Sequence, residues 1–270
     1  MKQSVILASA VLLCVSSVAN AGVVMDMVTR NASGTVTERA KIYAQSDKVR
    51  MEEGGNGDAE ATMIFLGDRF IYVDHSDKTY VVMDEAMLDE VSAKMNEAMK
   101  EMEAQLASMP PEQRAMVEQM MKGEMQGMMA QQGEEAPAPR VEATGSGTWQ
   151  SYDCQEYAVF EGGEKTQQIC AAALDDVDGA DEVIEAFRNM AAYISKMTES
   201  MPMQPAGQLN PGELMDQIDG FPVHTVDYEN GKIVREASLD SVLEQDLDEA
   251  LFSAPAGYRQ QDPFGGRQAR

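Results

Sequence analysis

The sequence predicts an α+β fold, a half-open antiparallel β-barrel or curled sheet with a methionine-rich helical hairpin insertion and one further helix. About 11 short segments alternate apolar and polar residues and are joined by tight turns, as antiparallel strands do. Asn230-Gly231 between two such segments is a strong hairpin signal. The helical patterns stand in two insertions and do not alternate with strands, which argues against a parallel α/β sheet.

Residues 1–21 have the features of a secretory signal peptide. Lys2 gives a positive n-region, Val5 to Val18 is an apolar stretch, and Ala19-Asn20-Ala21 is an A-x-A cleavage site. Cleavage near Ala21 predicts a periplasmic or secreted protein. No later apolar run is long enough to span a bilayer, so the mature chain has no predicted transmembrane segment.

Residues 22–258 form one predicted β-rich domain that opens with a meander. Turn residues such as Gly67-Asp68 and His75-Ser76-Asp77 separate its short alternating segments. The strands predicted for this part are residues 24–28, Thr35–Tyr43, Asp47–Glu53, Ala61–Leu66, Arg69–Asp74 and Lys78–Met83.

A methionine-rich insertion, residues 84–130, follows the meander. The stretch from Met83 to Met129 holds 12 of the 22 methionines. Steps of three and four residues between apolar side chains predict a helix over Asp84–Ala107, and Pro111 starts a second helix that ends at Met129. Residues 131–140 are polar and rich in proline and alanine, as in a linker.

Three interpretations of the methionines compete. Flexible thioether side chains can fill gaps in a core, or give an adaptable apolar surface for a lipid or a partner protein. They can also bind Cu(I), which prefers soft sulfur ligands. The candidate copper ligands are Met120, Met121, Met125, Met197, Met201 and Met203.

Cys154 and Cys170 are the two cysteines of the predicted mature chain, and an oxidising compartment favours a bridge between them. Strands Tyr152–Phe160 and Thr166–Ala173 flank Gly162-Gly163. A hairpin centred on Gly162 places position 154 opposite position 170. We therefore predict a structural disulfide, worth about 3 kcal/mol in the chain-entropy model.

The C-terminal part begins with a helix that Gly179 opens, followed by a proline-rich loop over Thr198–Gly212. Strands Phe221–Tyr228 and Lys232–Ser238 flank the Asn-Gly turn. Leu239–Leu251 is predicted to be a short acidic helix. Residues 259–270 are predicted to be a disordered tail.

Charge and motifs exclude several classes of function. The formal net charge is −25, and it becomes −26 without Lys2. Such a charge argues against nucleic acid and anionic membrane surfaces. Neither His75 nor His224 has zinc-ligand spacing around it, and no nucleophile or phosphate-loop motif is present. We predict a monomer that is not an enzyme and carries no cofactor.

Five stretches together resemble a known family: KVRMEEGG, ATMIFLGDRFIYVDHSDKTYVVM, PPEQRAMVEQMM, YDCQEYAVFEGGEKTQQIC and LFSAPAGYRQ. They resemble a family of secreted bacterial proteins known only as a domain of unknown function. This family is similar in outline to periplasmic lipoprotein carriers of the LolA/LolB kind. The resemblance implies a half-open antiparallel barrel with an apolar concavity, and it implies no catalytic residues.

The leading hypothesis is a non-catalytic binding protein for an apolar ligand, which is a lipid, an acyl chain or a lipoprotein. A cavity closed by helices is a typical ligand site. The alternatives are a Cu(I)-binding protein that uses the methionines, and an envelope protein that docks a partner helix on its methionine helix. The aromatic residues predicted to line the cavity are Phe65, Phe70, Tyr72, Tyr80 and Trp149.

Overall fold

A computed structural model describes residues 21–55, 59–110, 139–199 and 215–262. The first six strands are β1 (Ala21–Asn31), β2 (Val36–Gln45), β3 (Lys48–Gly54), β4 (Ala61–Phe65), β5 (Phe70–Asp74) and β6 (Thr79–Met83). The second six are β7 (Arg140–Trp149), β8 (Tyr152–Glu161), β9 (Glu164–Ala172), β10 (Phe221–Glu229), β11 (Lys232–Asp246) and β12 (Arg259–Gln260). The long helices are α1 (Glu85–Ser108) and α2 (Ala180–Glu199), and short 3-10 turns lie at Leu174–Asp176 and Glu249–Phe252.

These strands form one 12-stranded sheet in the order β12-β6-β5-β4-β3-β2-β1-β11-β10-β9-β8-β7. The short β12 pairs parallel with β6, and every other neighbouring pair is antiparallel. Strands β12 and β7 remain at the edges. The prediction of a curled antiparallel sheet is therefore confirmed, and no barrel closes within the described ranges.

Helix α2 packs on one face of the sheet, which we call the helix face. The Tyr193 ring lies 5.7 Å from the Phe65 ring and 5.6 Å from the Phe70 ring. At the start of the helix, Gly179 touches the Val23 side chain so closely that no Cβ would fit between them. Burial raises the pKa of the Tyr193 hydroxyl, and the carboxylate of Asp68 adds to this shift.

The opposite face of the meander carries a second group of buried side chains. Ile64, Ile71 and Val73 pack there against Phe252 of the C-terminal 3-10 turn. This contact explains why the chain after β11 returns along the meander and ends in β12 beside β6. Later parts of the chain thus pack on both faces of the meander.

The prediction of an acidic helix over Leu239–Leu251 is wrong. Strand β11 continues to Asp246 and pairs with β1 up to that residue. A β-bulge inserts one residue between Leu239 and Ser241, so Leu239 and Val242 face the same side of the sheet. Their spacing of three residues looks helical in the sequence although it belongs to a bulged strand.

The disulfide is confirmed, but the register predicted for its hairpin is wrong. Cys154 and Cys170 are bonded, with Cα atoms 5.4 Å apart. A shift between Val159 and Phe160 places Cys154 opposite Ala172 and Cys170 opposite Glu156. The bridge therefore joins diagonal neighbours on one face. A disulfide of this kind is compatible with the predicted oxidising compartment.

Other predicted boundaries need smaller changes. Arg140 belongs to β7 and not to the linker, and Arg259–Gln260 form β12, so the predicted disordered tail starts too early. The predicted second methionine helix, residues 1–20 of the predicted signal peptide and most of the predicted proline-rich loop lie outside the described residues. None of the helices in the described ranges is long and apolar enough to span a bilayer.

Candidate functional site

Two rows of apolar side chains cross the helix face from strand to strand. Residues that pair directly on antiparallel neighbours share a face, so the strand register defines each row. The covered row lies beneath α2 and consists of Val23, Ala44, Val49, Phe65, Phe70 and Met83. The open row lies beside it and consists of Val242, Met25, Ile42, Met51, Met63, Tyr72 and Val81.

The two rows differ in burial. Val49 and Phe65 of the covered row are each 1% exposed. In the open row Met25 is 0% exposed, Met51 and Met63 are half-buried, and Tyr72 is 46% exposed. The open row is thus an apolar strip that becomes accessible from β1 towards β5. With strands about 4.8 Å apart, its six steps span roughly 29 Å.

The structure separates the five aromatic residues predicted to line a cavity. Phe65 and Phe70 are in the covered row, and Tyr72 is in the open row on the same face. Tyr80 pairs with Val73 and packs on the opposite face. Trp149 is at the end of the edge strand β7. Three of the five residues therefore share two neighbouring rows, Trp149 packs against another part of the same core cluster, and Tyr80 lies on the opposite face.

Trp149 belongs to a polar cluster that the sequence did not indicate. Its ring stacks on the His224 ring, with centroids 3.6 Å apart and planes 1° from parallel. His224 Nε2 lies 2.9 Å from Glu236 Oε1. His224 pairs with Cys170, so this stack is on the same face as the disulfide, whose two cysteines are each 7% exposed.

The indole N–H of Trp149 is buried and has no hydrogen-bond partner within the described residues. Gln150, the next residue, donates a hydrogen bond from Nε2 to the Leu239 carbonyl at 3.4 Å. The turn between β7 and β8 therefore reaches over towards β10 and β11. Trp149 on β7 and His224 on β10 are three strands apart in the order of the sheet, so no local signal in the sequence could have found their contact.

The predicted copper ligands are mostly outside the described residues. Met197 packs against the core beneath α2, whereas Met120, Met121, Met125, Met201 and Met203 lie in parts of the chain that the structure does not describe. Two methionines that were not among these candidates, Met51 and Met63, pair directly on the helix face. In the described ranges, no three histidine, cysteine or carboxylate side chains are grouped so that they could hold a metal ion.

Helix α1 begins as the sequence predicts and leaves an apolar surface open. The Asp84 carboxylate caps it by accepting a hydrogen bond from the Met87 N–H at 3.0 Å. Met99 and Met102, on the predicted apolar face, are 46% and 40% exposed. The role of this face in docking a partner helix stays a prediction.

Two cavities in the second half of the sheet have different chemistry. A wide cleft of about 1130 Å³ near the β8–β9 end is acidic, with Asp153, Asp175, Asp176 and Asp219 among its lining residues. A smaller cavity of about 220 Å³ is lined mainly by apolar side chains of β9, β10, α2 and the segment that precedes β10. The acidic cleft agrees in sign with the overall charge of the chain, and the smaller cavity offers an apolar environment.

The fold and the open row define a curled-sheet protein with a partly uncovered apolar strip. The chain belongs to the family described as "Domain of unknown function (DUF4412)", whose model matches residues 83–258. This confirms the predicted membership of a family of unknown function. The matched region begins at the last residue of β6, so most of the first meander lies before it.

Solved structures give only distant likenesses. An uncharacterized conserved protein from Thermus thermophilus is 7% identical, with 90% of each chain covered and a TM-score of 0.42. PNGF-II is 10% identical, with 90% of this chain but 31% of that chain covered and a TM-score of 0.38. No curated protein matches this chain. None of these names a lipoprotein carrier, so the likeness to LolA and LolB stays a prediction.

Proposed function

We propose that this protein is a non-catalytic periplasmic binding protein for an apolar ligand, which is a lipid, an acyl chain or the lipid part of a lipoprotein. The open row carries this proposal. Its apolar side chains cross seven strands and include Tyr72, which is 46% exposed. Met63 and Met51 next to it are half-buried, and an apolar row that comes to the surface in this way is a candidate ligand site.

The shape and chemistry of the strip favour an extended chain. The row is one residue wide, and its accessible part runs from Met51 through Met63 to Tyr72, so it matches an acyl chain better than a globular molecule. Each 100 Å² of apolar surface that a ligand covers contributes about 2.5 kcal/mol. Met51 and Met63 at its centre have flexible side chains that can adjust to chains of different shape.

The proposal is tested by native mass spectrometry of protein purified from the periplasm, together with titration of a fluorescent C16 acyl probe. We expect a bound mass of several hundred daltons that organic extraction removes. Tyr72→Glu should weaken probe binding at least tenfold, because a carboxylate would have to be buried against the chain. Ile233→Glu is the matched control, since Ile233 is also 46% exposed but lies near the β10–β11 turn.

Binding of the probe with equal affinity to both variants would refute the use of the open row. If the wild-type protein, freed of bound lipid by organic extraction, binds no acyl probe, the apolar-ligand function is refuted altogether. Binding of an anionic acyl probe would not reflect electrostatic attraction, because the full sequence already carries a net charge of −25 and loses a further positive charge with Lys2.

Cu(I) binding is the second candidate, and the direct pairing of Met51 with Met63 favours it. Cross-strand partners have Cβ atoms about 5 Å apart, so two thioethers there can reach one soft ion. The double variant Met51→Leu/Met63→Leu should lose a stoichiometric gain of copper mass while it keeps acyl binding. Loss of acyl binding with retained copper would reverse the order of the two candidates.

A further inference from the structure

We infer that the apolar cavity of about 220 Å³ is a second binding site, which takes one short uncharged alkyl group. It is separate from the open row, because its sheet residues come from β9 and β10 whereas the open row runs from β11 to β6. The inference therefore does not depend on the proposed function.

The walls of the cavity come from three parts of the fold. Ile169 on β9 and Thr225 on β10 pair directly and form the floor. Ile184 of α2 forms one side, and Met215 and Ile218 of the segment before β10 form another. The three isoleucines are 3%, 7% and 8% exposed, so these walls are held in place by the surrounding core.

The lining of the cavity is mainly apolar, and the polar side chains in it are those of Gln167 and Thr225. Buried water needs two to four polar partners, and Gln167 already donates its side-chain N–H to Asp227 Oδ1 at 3.0 Å. An apolar cavity of about 150 Å³ in a folded protein stays dry and binds benzene. A cavity of about 220 Å³ is larger, and four of its lining side chains, those of Ile169, Ile184, Met215 and Ile218, are apolar, so it too should accept a small apolar group.

The volume limits the length of that group. If each methylene needs about 30 Å³, the volume a water molecule takes in the liquid, then roughly seven carbons fit. Each buried methylene should tighten binding about fourfold until the cavity is full. Additional carbons should then add little, whereas an extended strip such as the open row would go on gaining affinity with longer chains.

The test is a titration of the full chain with n-alkanols from C4 to C14. Binding is measured by calorimetry and by the shift in the melting temperature of the protein. We expect the affinity to rise about fourfold per methylene and to level off near seven or eight carbons. Thr225→Phe should fill the cavity and abolish binding of the short alkanols. Thr29→Phe is the matched control, because Thr29 and Thr225 are half-buried residues of one cross-strand row, joined through Ala237.

A second variant keeps the test decisive if Thr225→Phe fails to fold. Ile218→Ala removes three carbons from the wall, so the levelling point should move to chains about three carbons longer. An unchanged levelling point in Ile218→Ala, or equal short-chain binding in Thr225→Phe and wild type, would overturn the inference. If Tyr72→Glu loses binding of the C16 probe but keeps binding of the C7 alkanol, the result supports both sites. If the wild-type protein binds the C7 alkanol but not the C16 probe, the result counts against the open row only.

Discussion

The contact between Gly179 and Val23 allows one sharp prediction about how α2 is anchored. A Cβ at position 179 would overlap with Val23 Cγ2, and the residue has φ of +64°. A side chain in this left-handed region costs about 1–2 kcal/mol. Overpacking of a buried side chain costs a further ~1–3 kcal/mol. Gly179→Ala should therefore lower the free energy of unfolding by about 2–5 kcal/mol.

Gly162 separates these two contributions. It has φ of +58°, but nothing lies within 4 Å of a Cβ built there. Gly162→Ala should thus lose only the backbone part, about 1–2 kcal/mol. The difference between the two variants measures the clash with Val23 alone.

Urea unfolding is the assay, followed by far-UV circular dichroism and by the fluorescence of Trp149, the single tryptophan. A double-mutant cycle with Val23→Ala adds a direct check, because removal of the Cγ atoms should recover about 1–3 kcal/mol of the clash. Equal losses in Gly179→Ala and Gly162→Ala, with no coupling to Val23, would show that the entry to α2 is not closely packed and would refute the reasoning.

Three further predictions concern contacts elsewhere in the fold. Removal of the disulfide in Cys154→Ala/Cys170→Ala should cost about 3 kcal/mol by urea unfolding, and a loss below about 1 kcal/mol would show that the unfolded chain already keeps the hairpin together. Tyr258→Phe should cost about 1 kcal/mol, because its hydroxyl lies 2.9 Å from His75 Nδ1; a stability equal to wild type would show that this bond contributes nothing. Trp149→Ala should speed reduction of the disulfide by an external thiol. The rate should rise about tenfold for every 1.4 kcal/mol by which the variant lowers the free energy of local opening. A reduction rate equal to that of the wild type, followed by mass spectrometry, would mean that the indole does not shield the bridge.

The sequence was most informative where turns and caps are local. The predicted bounds of β4, β5 and β6 agree with the structure within one residue, because Gly67-Asp68 and His75-Ser76-Asp77 mark the turns between them. The start of α1 was also predictable, since Asp84 is an N-cap residue followed by apolar residues at helical spacing. Such signals need no knowledge of the rest of the fold.

Long-range register was not predictable from local patterns. Tyr80 faces away from Phe70 and Tyr72 because it pairs with Val73, and one residue of slip would have reversed its face. The bulge at Leu239 likewise gave a strand the spacing of a helix. In both cases the residue types indicated apolar side chains. The face of the sheet on which each side chain lies depends on pairing partners elsewhere in the chain.

The candidate site shows the same limit. Met25, Met51 and Met63 were recognisable as apolar strand residues, but their alignment into one row depends on the register of three strand pairs. The stack of Trp149 on His224 joins residues 75 positions apart in sequence (224 minus 149). Neither a composition nor a spacing rule reports contacts of that kind.

The position of β1 has a consequence for how the chain folds. The meander β1–β6 and the meander β7–β11 each form from neighbouring strands, and they are joined along the pair β1–β11. This seam brings Met25 beside Val242, 217 residues away (242 minus 25). Closing so long a loop costs conformational entropy before the contacts of the seam stabilise the fold. Until β11 arrives, β1 presents an unpaired edge that could pair with another chain. Closing the seam should therefore be the slow step of folding, and the interval before it is when the chain is most exposed to aggregation.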